Sequence, residues 1–214
     1  LLKTIGDTLE IPRKKDFPEI DDNTDYTFLF TLDDVSCFLV WQELSDFDTS
    51  IAFIEISFFR TTSQKEVGWA SIAANQLRNW YSEHKFCGNC GTKNNHKDDE
   101  RAMICPNCNT VVYPKISPAI IVAIISNDKI LLARNNNFRG FMYSLIAGYV
   151  DVGETLEETV KREVREEVGL DVWNIRYYKS QPWPLSSSMM IGFIADADES
   201  QPISLTDHEL AEAG

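Results

Sequence analysis

Gly148-Tyr-Val-Asp-Val-Gly-Glu154-Thr-Leu-Glu-Glu-Thr-Val-Lys-Arg162-Glu163-Val-Arg-Glu166-Glu167-Val-Gly169-Leu170 is the stretch that decides how this chain is read. Thr155 and Glu158 have capping-box spacing and Gly169 follows Val168 as a stop signal, so the sequence predicts a helix over 155–168. Leu156, Val160, Val164 and Val168 step by four and form its buried stripe. At ~100° per residue, Glu167 falls inside that stripe, Glu163 at its margin and Glu166 further round. Taking an ionised carboxylate out of water costs on the order of several kcal/mol unless a cation compensates, so this cluster points to a divalent metal. Spacing of i, i+3 and i+4 puts the three acids on neighbouring positions of one face. Hard carboxylate oxygens suit Mg²⁺ or Mn²⁺, and Mg²⁺ completes its shell with waters and substrate phosphates. The rival reading is a solvated helix laced with ion pairs such as Glu158 with Arg162.

Upstream, Cys87-Gly-Asn-Cys90 and Cys105-Pro-Asn-Cys108 are separated by 14 residues and leave Cys37 alone. Paired CxxC turns at this spacing predict a closed, structural four-sulfur zinc site, with Gly88 and Gly91 suited to tight turns around the metal. Cys37 lies inside an apolar run and reads as a core residue. The runs Tyr26 to Leu32, Ser36 to Trp41 and Ile51 to Phe59 read as strands between Asp-rich turns. Between Trp69 and Ser82 the apolar residues recur every three or four positions, which predicts a helix leading into the first cysteine pair. After Cys108 come strand candidates Ala119 to Ser126 and Lys129 to Arg134, joined by a hairpin turn at Asn127-Asp128. Further candidates are Tyr143 to Ala147, Trp173 to Ser180 and Met189 to Ala195. The reading is an α+β protein in which a β-rich N-terminal domain ending in a helix (1–82) and a zinc ribbon (83–115) precede a second domain (116–214).

The 214 residues carry 20 Lys or Arg against 33 Asp or Glu, a net charge of −13, which argues against a general nucleic-acid or membrane-surface binder. The longest apolar run, Ala119 to Ile125, is far short of the ~20 residues a spanning helix needs, so no membrane is expected. A cytoplasmic location is expected, although the chain begins at Leu1 and a targeting segment ahead of it stays open.

Gly148, Glu154, Arg162-Glu163, Val164, Glu166-Glu167, Gly169 and Leu170 also reproduce, without a mismatch, the 23-residue box of the Nudix hydrolases, GX5EX7REUXEEXGU with U aliphatic. The resemblance implies an α/β/α sandwich around a mixed sheet and cleavage of a nucleoside diphosphate linked to another group. It implies that Glu163, Glu166 and Glu167 are catalytic and hold Mg²⁺ or Mn²⁺, that the Gly148 carbonyl joins them, and that Glu154 and Arg162 pair to hold the loop onto the helix. Ser180-Gln181-Pro182-Trp183-Pro184 is similar to the SQPWP array of the NADH pyrophosphatase branch, of which the zinc ribbon is a second hallmark. That branch usually continues with Phe then Pro, where this chain has Leu185 and Ser186.

The branch resemblance covers roughly Trp69 to Gly214. It implies hydrolysis of NADH and NAD⁺ to nicotinamide mononucleotide and AMP, and removal of NAD caps from RNA, by a homodimer whose partner helps build the pocket. On this analogy Tyr113 and Tyr149 hold a base ring, Ser180, Gln181 and Trp183 line the substrate site, and Glu209, in Asp207-His208-Glu209-Leu210, is one more metal ligand. A solvated, helix-starting Glu209 is the alternative. Relatives continue past the position of Gly214 into a last helix of the sandwich, so the resemblance also implies that the domain is cut short there. Other readings are a Nudix hydrolase of ADP-ribose or a nucleotide sugar, and a non-catalytic NAD or RNA sensor.

Overall fold

In the computed structural model, which describes residues 2–5, 8–44, 47–136, 142–205 and 209–214, the chain divides into two units, Leu1–Pro114 and Lys115–Gly214. In the first, β1 (Leu2–Ile5) lies between β2 (Thr8–Glu10) and the chain's fifth strand, both antiparallel to it. The hairpin of β3 (Tyr26–Leu32) and β4 (Val35–Val40) turns through Asp33 and Asp34, both at positive φ, as a two-residue hairpin loop requires. The expected strand over 51–59 is corrected to β5 (Ile51–Ala52), after which Ile56–Arg60 winds into a 3₁₀ turn and leaves Phe53 80% exposed. A largely apolar run does not by itself say which backbone it takes. Cys37 is half-buried rather than core, because β3 and β4 form a two-stranded sheet of their own.

Helix α1 (Lys65–Glu83) is longer than the predicted Trp69–Ser82 and buries Ala70, Ile72, Trp80 and Tyr81. Trp80 and Tyr81 pack with Leu29 of β3 and with Met103, which belongs to the small antiparallel sheet of β6 (Asn95–His96), β7 (Met103–Ile104) and β8 (Val111–Val112). The helix and the cysteine-bearing segment therefore share one core.

The second unit is built on β9 (Ser117–Ser126). It turns through Asn127, at φ 52°, into β10 (Lys129–Ile130), followed by β11 (Ala133–Asn135), so the expected strand over 129–134 is two short ones. Then come β12 (Ile146–Tyr149), α2 (Leu156–Val168), β13 (Val172–Trp183), β14 (Ser188–Ala197) and β15 (Leu210–Ala213), which pairs with β11. The sheet is mixed: β14 runs parallel to β9 and antiparallel to β13, and β12 runs antiparallel to β9. Its pairing with Ala119–Val122 shifts β12 past the predicted Tyr143–Ala147, so that Gly148 and Tyr149 are strand residues. The wholly buried Val160, Val164 and Val168 of α2 pack with Ile120, Val122 and Ile124 of β9 and with Phe193 and Ala195 of β14. Each such side chain is worth ~1.5–3 kcal/mol of burial. Among the described residues of this unit α2 is the one α-helix, and none of the chain's described helices is long and apolar enough to cross a membrane.

Candidate functional site

Helix α2 begins as its sequence demands. Thr155 Oγ1 accepts the Glu158 backbone N–H at 3.2 Å while Glu158 accepts the Thr155 N–H at 2.8 Å, and Gly169 closes the helix at φ 74°. With both ends fixed, the register of the carboxylates is fixed too.

Arg162 organises what lies between them. Its Nε donates to Glu154 Oε1 at 2.5 Å and its Nη2 to Glu154 Oε2 at 2.9 Å, a forked pair that ties the loop to the helix. The same Nη2 donates to the Tyr149 carbonyl at 3.0 Å, and Nη1 donates to Glu163 at 2.8 Å and Glu166 at 3.0 Å. The guanidinium, helped by the Asp151 N–H, holds Glu154 down to about 2. Fully buried Thr159 adds a hydrogen bond to Glu154 at 3.0 Å. Sequence reasoning missed Thr159, whose signal is a hydroxyl beside an apolar stripe, where it must find a partner.

The three glutamates expected to hold metal differ in setting. Glu167 is 8% exposed, Glu163 half-buried and Glu166 exposed. Burial pushes the Glu163 carboxyl above its ordinary range against the opposing pull of Arg162. Gly148 faces it: a Cβ built there would fall inside the Glu163 carboxyl group. Glu163 and Glu166 meet on Arg162. Among the described residues the carboxylates do not gather into a set of three donors, as the ribbon sulfurs do. Three hard carboxylates within about a helical turn, beside a strand whose missing Cβ makes room for one of them, are nevertheless donors of the chemical kind that suits Mg²⁺ or Mn²⁺.

The four ribbon cysteines do converge, their sulfurs lying within 4.8 Å of one another. Cys87 and Cys108 sulfurs are 3.6 Å apart and those of Cys90 and Cys105 are 3.4 Å apart. A tetrahedron with ~2.3 Å zinc–sulfur bonds has edges of about this length, so the donor set fits zinc. The two knuckles are built alike: the N–H of Cys87 donates to Thr92 O and that of Cys105 to Thr110 O, while Gly91 and Asn109 occupy the same left-handed position at φ 75° and 59°. Gly88 is not among the positive-φ residues, and its counterpart is Pro106, so Gly91 is the glycine that the turn requires. The Thr92 hydroxyl, 3.4 Å from Cys90, lowers that thiol to about 5, and Thr110 lowers Cys108 in the same way. Both hydroxyls thus favour the thiolate form that a metal takes.

The expected substrate residues fall in both units. Tyr113, in the first, is exposed and donates its hydroxyl to Glu100 at 3.1 Å. Tyr149, in the second, is 53% exposed with its hydroxyl 3.2 Å from Ser188 Oγ. The Ser188 and Ser186 hydroxyls depress the Tyr149 phenol. Ser180, Gln181 and Trp183 lie within β13, which runs further than the predicted Trp173–Ser180; Ser180 and Gln181 are exposed and Trp183 is half-buried. Pro182 is tolerated there because β13 ends the order β10-β9-β14-β13. Glu209 is exposed and its carbonyl accepts the Asn136 N–H at 2.8 Å just ahead of β15, so its alternative as a helix start is corrected to a strand entrance. Asp207 and His208 lie outside the described residues.

Residues 115–214 match the NUDIX domain and residues 82–113 the NADH pyrophosphatase zinc ribbon domain. The NAD-capped RNA hydrolase NudC of Pectobacterium atrosepticum is 43% identical over 158 residues, which cover 73% of this chain and 59% of that protein. The protein of the same name from Photorhabdus laumondii is 47% identical over 126 residues, 59% of this chain and 49% of its own length. The chain thus spans between about half and three fifths of these relatives. In structure it resembles a NUDIX hydrolase from Nitrosomonas europaea, with a TM-score of 0.51 at 24% identity over 61% of this chain and 76% of the other, a likeness of fold.

Proposed function

Since Lys115–Gly214 belongs to the Nudix family and follows a ribbon of the NADH pyrophosphatase type, we propose that this chain hydrolyses the diphosphate of NADH and NAD⁺ to nicotinamide mononucleotide and AMP. The same bond is cut when an NAD cap is removed from RNA. The observation that carries the reading is the carboxylate face of α2, held in register by its caps and by Arg162.

In this reading Glu163, Glu166 and Glu167, with the Gly148 carbonyl and Glu209, hold Mg²⁺ or Mn²⁺. When bound, such a cation neutralises the diphosphate and lowers the pKa of a coordinated water. Glu166 or Glu167 takes the proton of the attacking water as general base. Arg162 holds Glu163 and Glu166 in place while its fork to Glu154 keeps the loop closed over the helix start. Tyr149 offers a ring face to a base, which suits flat rings without demanding one hydrogen-bond pattern, and Ser180, Gln181 and Trp183 of the same unit line the substrate site; Tyr113, in the first unit, is proposed as a second such ring. The four cysteines hold one structural zinc. The proposed division is 1–82, 83–115 and 116–214, in a cytoplasmic homodimer.

The test is turnover with Mg²⁺ or Mn²⁺, comparing NADH with ADP-ribose, which shares the adenosine diphosphate and lacks the nicotinamide. Stacking is worth ~1–3 kcal/mol, so kcat/KM is expected to favour NADH by roughly 5- to 150-fold. Equal or better hydrolysis of ADP-ribose defeats the NADH assignment and leaves the diphosphatase chemistry standing.

A further inference from the structure

Ser188, 4% exposed at the start of β14, donates its hydroxyl to the Ser186 carbonyl at 3.2 Å. Two hydroxyls reach Ser188 Oγ: Ser186 Oγ at 2.9 Å and Tyr149 OH at 3.2 Å. The turn that presents Ser186 is itself held fast. Pro184 is buried, Ser187 sits in the left-handed region at φ 54°, and its carbonyl accepts the Ser117 N–H at 2.8 Å. Tyr149 is therefore tied at both ends, by its carbonyl to Arg162 and by its hydroxyl to this serine pair.

A half-exposed tyrosine is free to swing about χ1, and a stacking platform works only when its ring is held in one place. We propose that Ser186 is a positioning residue for substrate: through Ser188 it pins the hydroxyl end of the Tyr149 side chain, and so the place of the ring, which receives a flat ring of the dinucleotide. Ser186 stands where the NADH pyrophosphatase branch usually has proline, a residue with no hydroxyl to offer. This inference rests on the proposed function and adds to it a specificity device belonging to this chain.

The experiment is a double-mutant cycle on Ser186→Ala and Tyr149→Phe, read by KM and kcat for NADH and by thermal unfolding of the same four proteins. Ser186→Ala is expected to raise KM about fivefold, the scale of one lost hydrogen bond, with kcat within about twofold. Ser186→Thr keeps the hydroxyl and restores KM. In the Tyr149→Phe background there is no phenol to steer, so Ser186→Ala adds no further change in KM and a smaller change in Tm than it makes alone. Equal effects of Ser186→Ala in both backgrounds, or an unchanged KM in the single variant, overturn the proposal. If the parent chain turns over no NADH, the functional reading fails on its own account, and additive Tm shifts would separately dismiss the hydroxyl link.

Discussion

The Glu163 carboxyl group occupies the space in which residue 148 would carry its Cβ, so the glycine of β12 and the glutamate of α2 share one volume. The glycine is needed here for room rather than for a positive φ, since Gly148 is not among the positive-φ residues.

Replacing Gly148 with Ala is therefore expected to displace the Glu163 carboxyl and not the fold, because the clashing atoms are the far end of a flexible side chain. Turnover of NADH should fall about tenfold or more while thermal stability changes little. Gly169→Ala makes the contrast. Gly169 caps α2 at φ 74°, so that variant should lose about 1 kcal/mol of stability. A large Tm loss in Gly148→Ala with normal turnover would contradict the shared-volume reading.

Glu167→Gln keeps the shape of a buried side chain and removes its charge. A loss of ~10²-fold in kcat is expected, and a comparable one for Glu166→Gln, as for removal of an acid–base group or metal ligand. Exposed Glu157, outside the cluster, should tolerate Gln without effect. Near-normal rates in both active-face variants would rule out their catalytic assignment.

The Glu154–Arg162 pair sets a pH dependence of definite sign. Glu154 is held at about 2 in the folded chain against an ordinary 4.5, so the unfolded chain binds the extra proton first. The stabilisation is complete above the ordinary value and is lost as pH falls toward about 2. Urea denaturation of the parent and Glu154→Gln should give a constant stability gap from about pH 7 to 5, which narrows below that. Glu163 is pushed the other way by burial, and since the Glu154 charge adds to that rise, Glu154→Gln removes part of it as well. A gap that widens on acidification would be inconsistent with the pair.

Elemental analysis of protein purified without added metal should find about one zinc per chain. Cys90→Ser should lower both zinc content and Tm, whereas Cys37→Ser, outside the sulfur cluster, should leave zinc unchanged. Full stability in zinc-free protein would refute a structural role.

Helix α2 was legible because three independent signals agree on it: the four-step apolar stripe, the Thr155–Glu158 box and the terminal glycine. The ribbon was legible because thiol spacing encodes a metal site directly. The N-terminal strands were less so. Ile51 to Phe59 is apolar but for Glu55 and Ser57, and its early departure from β1 is set by partners distant in sequence. The reach of β13 through Pro182 to Trp183 was equally hidden, since the edge position that permits proline is a property of the sheet and not of the segment. Neither Thr159 nor the Ser186–Ser188 pair announces itself, because a serine or threonine declares its partner only after the fold has chosen one.

The parallel pairing of β14 with β9 joins Ser188 to Ser117 and Asp196 to Ile125, across some seventy residues of intervening chain. Contacts so remote along the sequence are expected to form late in folding, after the loop between them has been closed at an entropic cost, whereas the capped α2 can form from its own neighbours. Tyr149 reaches the chain long before the serines that hold its hydroxyl. The expected order of assembly therefore runs from the α2 carboxylates to the link between Tyr149 and Ser188.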